Sequence, residues 1–383
     1  MSEFAGDDPN ALAFTRRVRS LAREVSRSGS TVVVTSPEGV RLVAEAGAIK
    51  EVHQGPRAPR LRTSGFVITQ TISQLLYSFA LLRFIRRETP DSVAVMFHDP
   101  RLGLLSTLAA RFVSGRVVFD AHDSWILLST THAGGLRNRI RRKLERMAFR
   151  SCDEVTTVSP SLKRLIEQNY RMDVSRVSVV RNGADIPQVL PKAEKDIDII
   201  HLGGPRMYYD TPTFLKALAA VRDSGLSPTV VFLGTRDEEY ARRAREETIR
   251  LGLEKTVRFL PAVSHDEVGS WLARSKIAVF TMWSVHVSGS NLALKLFEYM
   301  AYGLPVAHLG PPGTEVSNLI TSQGTGLVAS DAEGFSKVLI RLLTDAGLRE
   351  FLGAKGREVS GEYSWERSGR KMAEVLGVTL RSD

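Results

Sequence analysis

The sequence predicts an α/β chain of two doubly wound parallel-sheet domains facing a cleft, and three observations carry that expectation. Short β-branched runs alternate with longer amphipathic segments along the chain, the signature of βαβ units. The 383 residues exceed one ordinary core and suit two domains of roughly 150 to 200 residues each. The alternation breaks at 184–196, where Pro187, Pro191 and several charges replace any clear period.

In chain order, an amphipathic helix at 10–28 leads into a first strand at 31–35. A doubly wound domain ordinarily opens on a strand, so either the first sheet is one strand short or that strand lies upstream. The uncharged stretch 63–82 has the length of a membrane span, but Gln70, Gln74 and several Ser and Thr residues interrupt it. Polar groups at that density are costly in a bilayer, which favours a buried helix. Strands at 93–97, 117–120, 155–158 and 177–180 complete a first domain over 1–185. Strands at 197–202, 230–233, 257–260, 277–280 and 305–309 build a second over 186–365, and 366–383 forms a helix that packs back on the first.

Composition excludes several classes. At 43% hydrophobic and 25% charged the chain is an ordinary globular one, and its single cysteine, Cys152, allows neither an intramolecular disulfide nor a thiolate zinc cluster. With no basic-then-apolar leader at the start, a reducing, cytoplasmic location is expected. The formal charge of +10 favours anionic partners: nucleotide sugars, anionic membrane surfaces or nucleic acids. No nucleic-acid module is recognisable, which sets that partner aside. Between 137 and 150, seven Arg and Lys residues interleave with Ile140, Leu144, Met147 and Phe149. Such a basic amphipathic helix either docks peripherally on anionic lipid at the inner face of the membrane or packs its apolar stripe on the sheet.

The segment 289–306 carries the most chemistry. A small-residue loop, with Ser290, Asn291 and Leu292, enters a helix that stops at Gly303. Amides at 290–292 would then point out of a helix N-terminus, where donor geometry and dipole both favour phosphate. Lys295 and Glu298, three apart, share a helix face. One supplies a cation near a diphosphate while the other accepts from ribose hydroxyls, or the two form a solvent ion pair.

The run Lys-Leu-Phe-Glu-Tyr-Met-Ala-Tyr-Gly-Leu-Pro-Val from Lys295 to Val306 resembles the donor-site helix and following strand of the retaining GT-B glycosyltransferases numbered family four. Asp153 to Ser159 with Val180 to Asp185 is similar to the end of that family's first domain, and Ile200-His201-Leu202-Gly203-Gly204 to the first strand and glycine loop of its second. Val257 to Pro261, including Leu260, resembles the segment that holds the nucleotide base. The matches cover nearly the whole chain in the right order. The resemblance implies a GT-B fold with two Rossmann-like domains, a nucleotide diphosphate sugar as donor substrate, a small-molecule or lipid-linked hydroxyl acceptor, no further cofactor and no metal.

It also implies site roles. Gly203 and Gly204 admit the phosphates, Arg206 and Lys295 stabilise charge on the leaving diphosphate, and His122 hydrogen-bonds the sugar or diphosphate. His98, Asp7 and Asp8 are candidates for the acceptor side. Two departures stand out. The family's Glu eight residues before the helix Glu is Ser290 here, and the Arg-then-Lys pair after the first strand of the second domain is reduced to Arg206, with no Lys at 207–214. A nucleotide-sugar epimerase or hydrolase on the same fold, or a non-catalytic sugar- or membrane-binding subunit, are the alternatives.

Overall fold

Each β-branched run named above forms a strand in the computed structural model, which describes residues 9–35, 41–52, 66–96, 99–122, 135–235, 238–282 and 292–378. The chain divides into two units, Met1–Asn182 with Trp365–Asp383, and Gly183–Ser364. The first boundary falls three residues before the expected one.

In the first unit, α1 (Pro9–Arg27) is followed by β1 (Val32–Thr35), β2 (Arg41–Glu45) and β3 (Ala48–Val52). Here the expectation for 31–35 needs correction: β1 does not join the parallel sheet but pairs antiparallel with β2, which pairs antiparallel with β3. The cause is local. Ala46 and Gly47 both have positive φ, 49° and 83°, which is the backbone of a two-residue hairpin turn whose twist matches its strands. Residues 1–8, where a preceding strand was in question, lie outside the described residues.

The parallel sheet of this unit has the order β4 (Ser92–Val95), β5 (Arg116–Ala121), β6 (Glu154–Thr157), β7 (Val177–Val179). Three helices pack along it: α2 (Phe66–Glu88), α3 (Pro100–Arg111) and α4 (Leu136–Ser151), with α5 (Pro160–Tyr170) between β6 and β7. The stretch expected as a buried helix is only half buried. Tyr77, Leu81 and Ile85 of α2 enter the core, whereas Ile72, Leu75, Leu76 and Phe79 are exposed, and no described helix is long and apolar enough to cross a membrane. The basic helix α4 is likewise split, with Phe149 buried and Leu136, Ile140 and Met147 exposed.

The second unit is one parallel sheet in the order β10 (Val257–Leu260), β9 (Val230–Leu233), β8 (Ile197–Leu202), β11 (Ser275–Thr281), β12 (Val306–Leu309), β13 (Gly326–Ala329). It is flanked by α6 (Thr211–Asp223), α7 (Glu238–Arg250), α8 (His265–Ala273), α9 (Leu294–Ala301), α10 (Glu315–Gln323), α11 (Ala332–Thr344) and α12 (Ala346–Ser360). Apolar clusters on both faces explain why the central strands read as continuous hydrophobic runs. The strand order reverses between β8 and β11, and a doubly wound sheet binds ligands outside the carboxyl ends of the strands at that point. The edge strand β13 escaped the sequence reading because its residues are only half-buried.

The last helix, α13 (Trp365–Leu376), belongs to the first unit and packs on α1. The crossing needs a glycine, since a Cβ on Gly369 would lie 2.1 Å from that of Glu24.

Candidate functional site

At the switch point of the second unit, β8 ends on Leu202 and the chain turns through Gly203, whose φ of 87° suits a residue without a Cβ. At Gly204 the reason is space: a Cβ there would come within 2.4 Å of Thr235 Cα. Beneath the turn His201 is fully buried, its Nδ1 2.7 Å from the Gly203 carbonyl oxygen and its Nε2 3.3 Å from the Thr281 hydroxyl. A carbonyl only accepts, so Nδ1 carries the proton. Burial, with Lys295 adding to it, pushes this imidazole well below its ordinary value. His201 is therefore a neutral brace for the glycine turn.

Tyr299 holds β8 and β11 where they part. Its hydroxyl accepts from the Leu202 amide at 2.8 Å and donates to the Val279 carbonyl at 3.2 Å. Four residues earlier on the same helix face, Lys295 is nearly buried and donates to the Leu202 carbonyl at 2.6 Å. Its ammonium lies 3.8 Å from the centre of the Tyr209 ring. Burial lowers the Lys295 pKa, Tyr209 and Glu298 oppose that, and the Arg206 charge adds to it. Arg206 lies three residues beyond Gly203 in the loop that follows β8.

The helix bearing Lys295 begins later than the sequence suggested. Its N-cap is Ala293, in an extended conformation, and its first residue is Leu294. Leu292 is fully buried in the apolar core of the unit, and anchoring it there keeps the chain extended at this point. Its amide is not one of the first-turn donors; Ser290 and Asn291 lie outside the described residues. The helix ends at Ala301, two residues before Gly303, which has a φ of 65°.

Glu298 is also nearly buried, one carboxylate oxygen 3.9 Å from His265 Nδ1, while His265 Nε2 is 4.0 Å from Asp185. Leu260 closes β10, and its carbonyl accepts from the Gly234 and Thr235 amides at 3.1 and 2.9 Å. Gly203, Gly204, Arg206, Lys295 and Glu298 are therefore gathered around β8 and α9, with Leu260 two strands away at the same sheet edge. Sequence reasoning missed His201, Tyr209 and Tyr299. The spacing of Tyr299 from Lys295 was a usable signal; for Tyr209 none existed.

In the first unit His122 follows β5 and is 9% exposed, its Nδ1 3.8 Å from Asp120. Asp120 is fully buried and takes two bonds from Arg17 of α1, at 2.7 and 2.8 Å, and one from the Thr156 hydroxyl at 2.6 Å. Burial works against the Asp120 carboxylate, but Arg17, His122 and Thr156 outweigh it and hold its pKa below the ordinary value. Arg17 also donates to the Val180 and Arg181 carbonyls and to Asn182. Asp99 caps α3 by accepting from the Arg101 and Leu102 amides; His98, Asp7 and Asp8 lie outside the described residues. No group of three His, Cys, Asp or Glu able to hold a metal occurs among the described residues.

Residues 15–188 match the model of Glycosyltransferase Family 4, and residues 196–345 that of Glycosyl transferases group 1. The chain is 25% identical over 307 residues to the D-inositol 3-phosphate glycosyltransferase of Salinispora arenicola, a match covering 70% of this chain and 67% of that one. Matches to other curated relatives span less of them, 63% for the Salinispora tropica enzyme of that name. Sucrose-phosphate synthase from Thermosynechococcus elongatus superposes with a TM-score of 0.70 at 14% identity, covering 96% of this chain and 92% of that one. Anabaena HepE in complex with UDP-glucose does so with a TM-score of 0.64 at 16% identity, covering 80% and 83%.

Proposed function

Because the chain belongs to the group 1, family-4 glycosyltransferases of GT-B fold, we propose that it transfers a sugar from a nucleotide diphosphate donor to a hydroxyl acceptor with retention of anomeric configuration. The carrying observation is the meeting, at the β8/β11 switch point, of a glycine turn with the Lys295 ammonium, with Arg206 in the loop that follows the turn and Glu298 on the same helix as Lys295. In this reading the Gly203–Gly204 turn admits the diphosphate and the two cations offset charge as it leaves, the electrostatic role a divalent metal plays elsewhere. Glu298 accepts from ribose hydroxyls. His122 hydrogen-bonds the donated sugar, a role that rests on the family resemblance. The UDP-glucose bound by HepE and the glycosyltransferase names of the curated relatives support a nucleotide-sugar donor.

For the acceptor, the exposed Leu136, Ile140 and Met147 on α4, set among exposed Arg139, Lys143 and Arg150, favour a lipid-linked molecule reached at an anionic surface. Liposome flotation should show salt-sensitive binding to anionic vesicles and none to neutral ones; equal behaviour with both leaves only the packing role.

The central test is a panel of nucleotide sugars incubated with and without acceptors. Acceptor-dependent release of nucleotide, with an anomeric product of the donor's configuration, is the expected result. An altered sugar means an epimerase instead, and binding without turnover means a non-catalytic subunit.

A further inference from the structure

The sequence lacks a lysine at 207–214, and the structure shows what stands in that loop. Tyr209 follows a turn closed by its amide donating to the Arg206 carbonyl at 3.1 Å. Its ring lies edge-on to His201, with centroids 5.1 Å apart, and beneath the Lys295 ammonium. The space a Cβ on Gly203 would occupy is bordered by both groups, 3.6 Å from the Tyr209 hydroxyl and 3.6 Å from Lys295 Nζ. An atom resting on the glycine turn therefore meets the two together.

This arrangement is more than packing. A phenol hydroxyl can donate its proton, and this one borders the space Gly203 leaves open, with the Lys295 ammonium 3.8 Å from the centre of its ring. Burial pushes the phenol pKa up, but Lys295 and Arg206 outweigh it and bring it below the ordinary value, which makes its O–H a stronger hydrogen-bond donor. Lys295 itself is tethered to the Leu202 carbonyl and the Tyr209 ring, so its charge is held at a fixed place.

We infer that Tyr209 is a further catalytic residue, its hydroxyl donating to a phosphate oxygen of the bound nucleotide sugar beside the Lys295 ammonium. The inference rests on the donor-site reading above. As the bond from the anomeric carbon to the phosphate oxygen breaks, its electron pair stays on the diphosphate. The acceptor oxygen bonds to the anomeric carbon and releases its proton to that diphosphate. Tyr209 transfers no proton; its hydrogen bond strengthens as charge gathers on the leaving group, and an interaction stronger in the transition state raises kcat rather than lowering KM.

The test compares Tyr209→Phe and Tyr209→Ala with the unaltered full chain, using whichever donor of the nucleotide-sugar panel is turned over, with UDP and GDP binding followed by calorimetry. Losing one hydrogen bond to a charged group predicts a kcat lower by about 10- to 100-fold in Tyr209→Phe, with donor KM and melting temperature little changed. Tyr209→Ala, which also removes the ring under Lys295, should in addition raise donor KM, and the phenylalanine should rescue that part. Unchanged kcat in Tyr209→Phe, or a loss confined to KM, overturns the inference while leaving the donor site standing. Failure of the unaltered chain to bind either nucleotide or turn over any donor overturns both.

Discussion

The two units each bury a cation beside a candidate catalytic group, and they do so in opposite ways. In the first, the Arg17 guanidinium is enclosed by Asp120, Asn182 and two backbone carbonyls, so its donors are spent inside the protein. In the second, the Lys295 ammonium is held by the Leu202 carbonyl and the face of the Tyr209 ring. Neutral partners stabilise a cation without cancelling its charge. Lys295 thus remains able to attract an anion, whereas Arg17 fixes where β5, β7 and His122 stand. Burial alone does not distinguish a structural charge from a functional one; the charge of its partners does.

The sharpest way to break this contrast is Asp120→Ala, which strands Arg17 without a counter-charge in the interior. Its expected cost is about 3 to 5 kcal/mol of stability in urea unfolding, and a loss below 1 kcal/mol would show that the pair is not the lock of the first unit. The second unit should instead be sensitive to acid through its neutral histidines. Burial lowers the His308 pKa from 6.5 to about 4, and His201 shifts in the same direction. The unfolded chain then takes up protons that the folded one refuses. The His308 contribution is full above about pH 6.5 and is lost as the pH falls from there toward 4, by about 3 kcal/mol. A stability profile flat over that range in the parent, or equally steep in His308→Gln, would contradict it.

Smaller effects sharpen the functional half. Glu298→Ala should weaken nucleotide binding by about 1.5 to 3 kcal/mol in calorimetry while the melting temperature holds. An unchanged affinity would remove it from the ribose. At the low end, the Arg243–Glu239 pair is 62% exposed on both sides, and Arg243→Ala should change stability by less than about 0.5 kcal/mol. A larger change would show that charge in the second unit acts through exposed pairs as well.

Much of the fold was legible because burial on both faces of a parallel sheet leaves its strands as apolar runs, and Ile197–Leu202 was placed to the residue. The hairpin at 41–52 escaped because its turn rests on a positive φ at Ala46, a conformation that alanine does not announce. Lys295 and Glu298 were legible through their helical spacing. Tyr209 was not: its place over Gly203 depends on a turn that brings it back toward a residue 86 positions later in the chain, Lys295.

By itself the sequence determined the alternation of strands and helices and the place of Lys295 and Glu298 on one helix, since each follows from local periodicity or from motif order. Tertiary structure alone decided that Ala293 caps α9, leaving the Leu292 amide outside its first turn, that Arg17 is a structural cation, and that Tyr209 and Tyr299 flank the glycine turn. The physical reason is common to all three. Which polar group satisfies a buried charge or an unpaired amide depends on what the folded chain brings within about 3 Å of it, and that proximity is set by the packing of elements far apart in sequence.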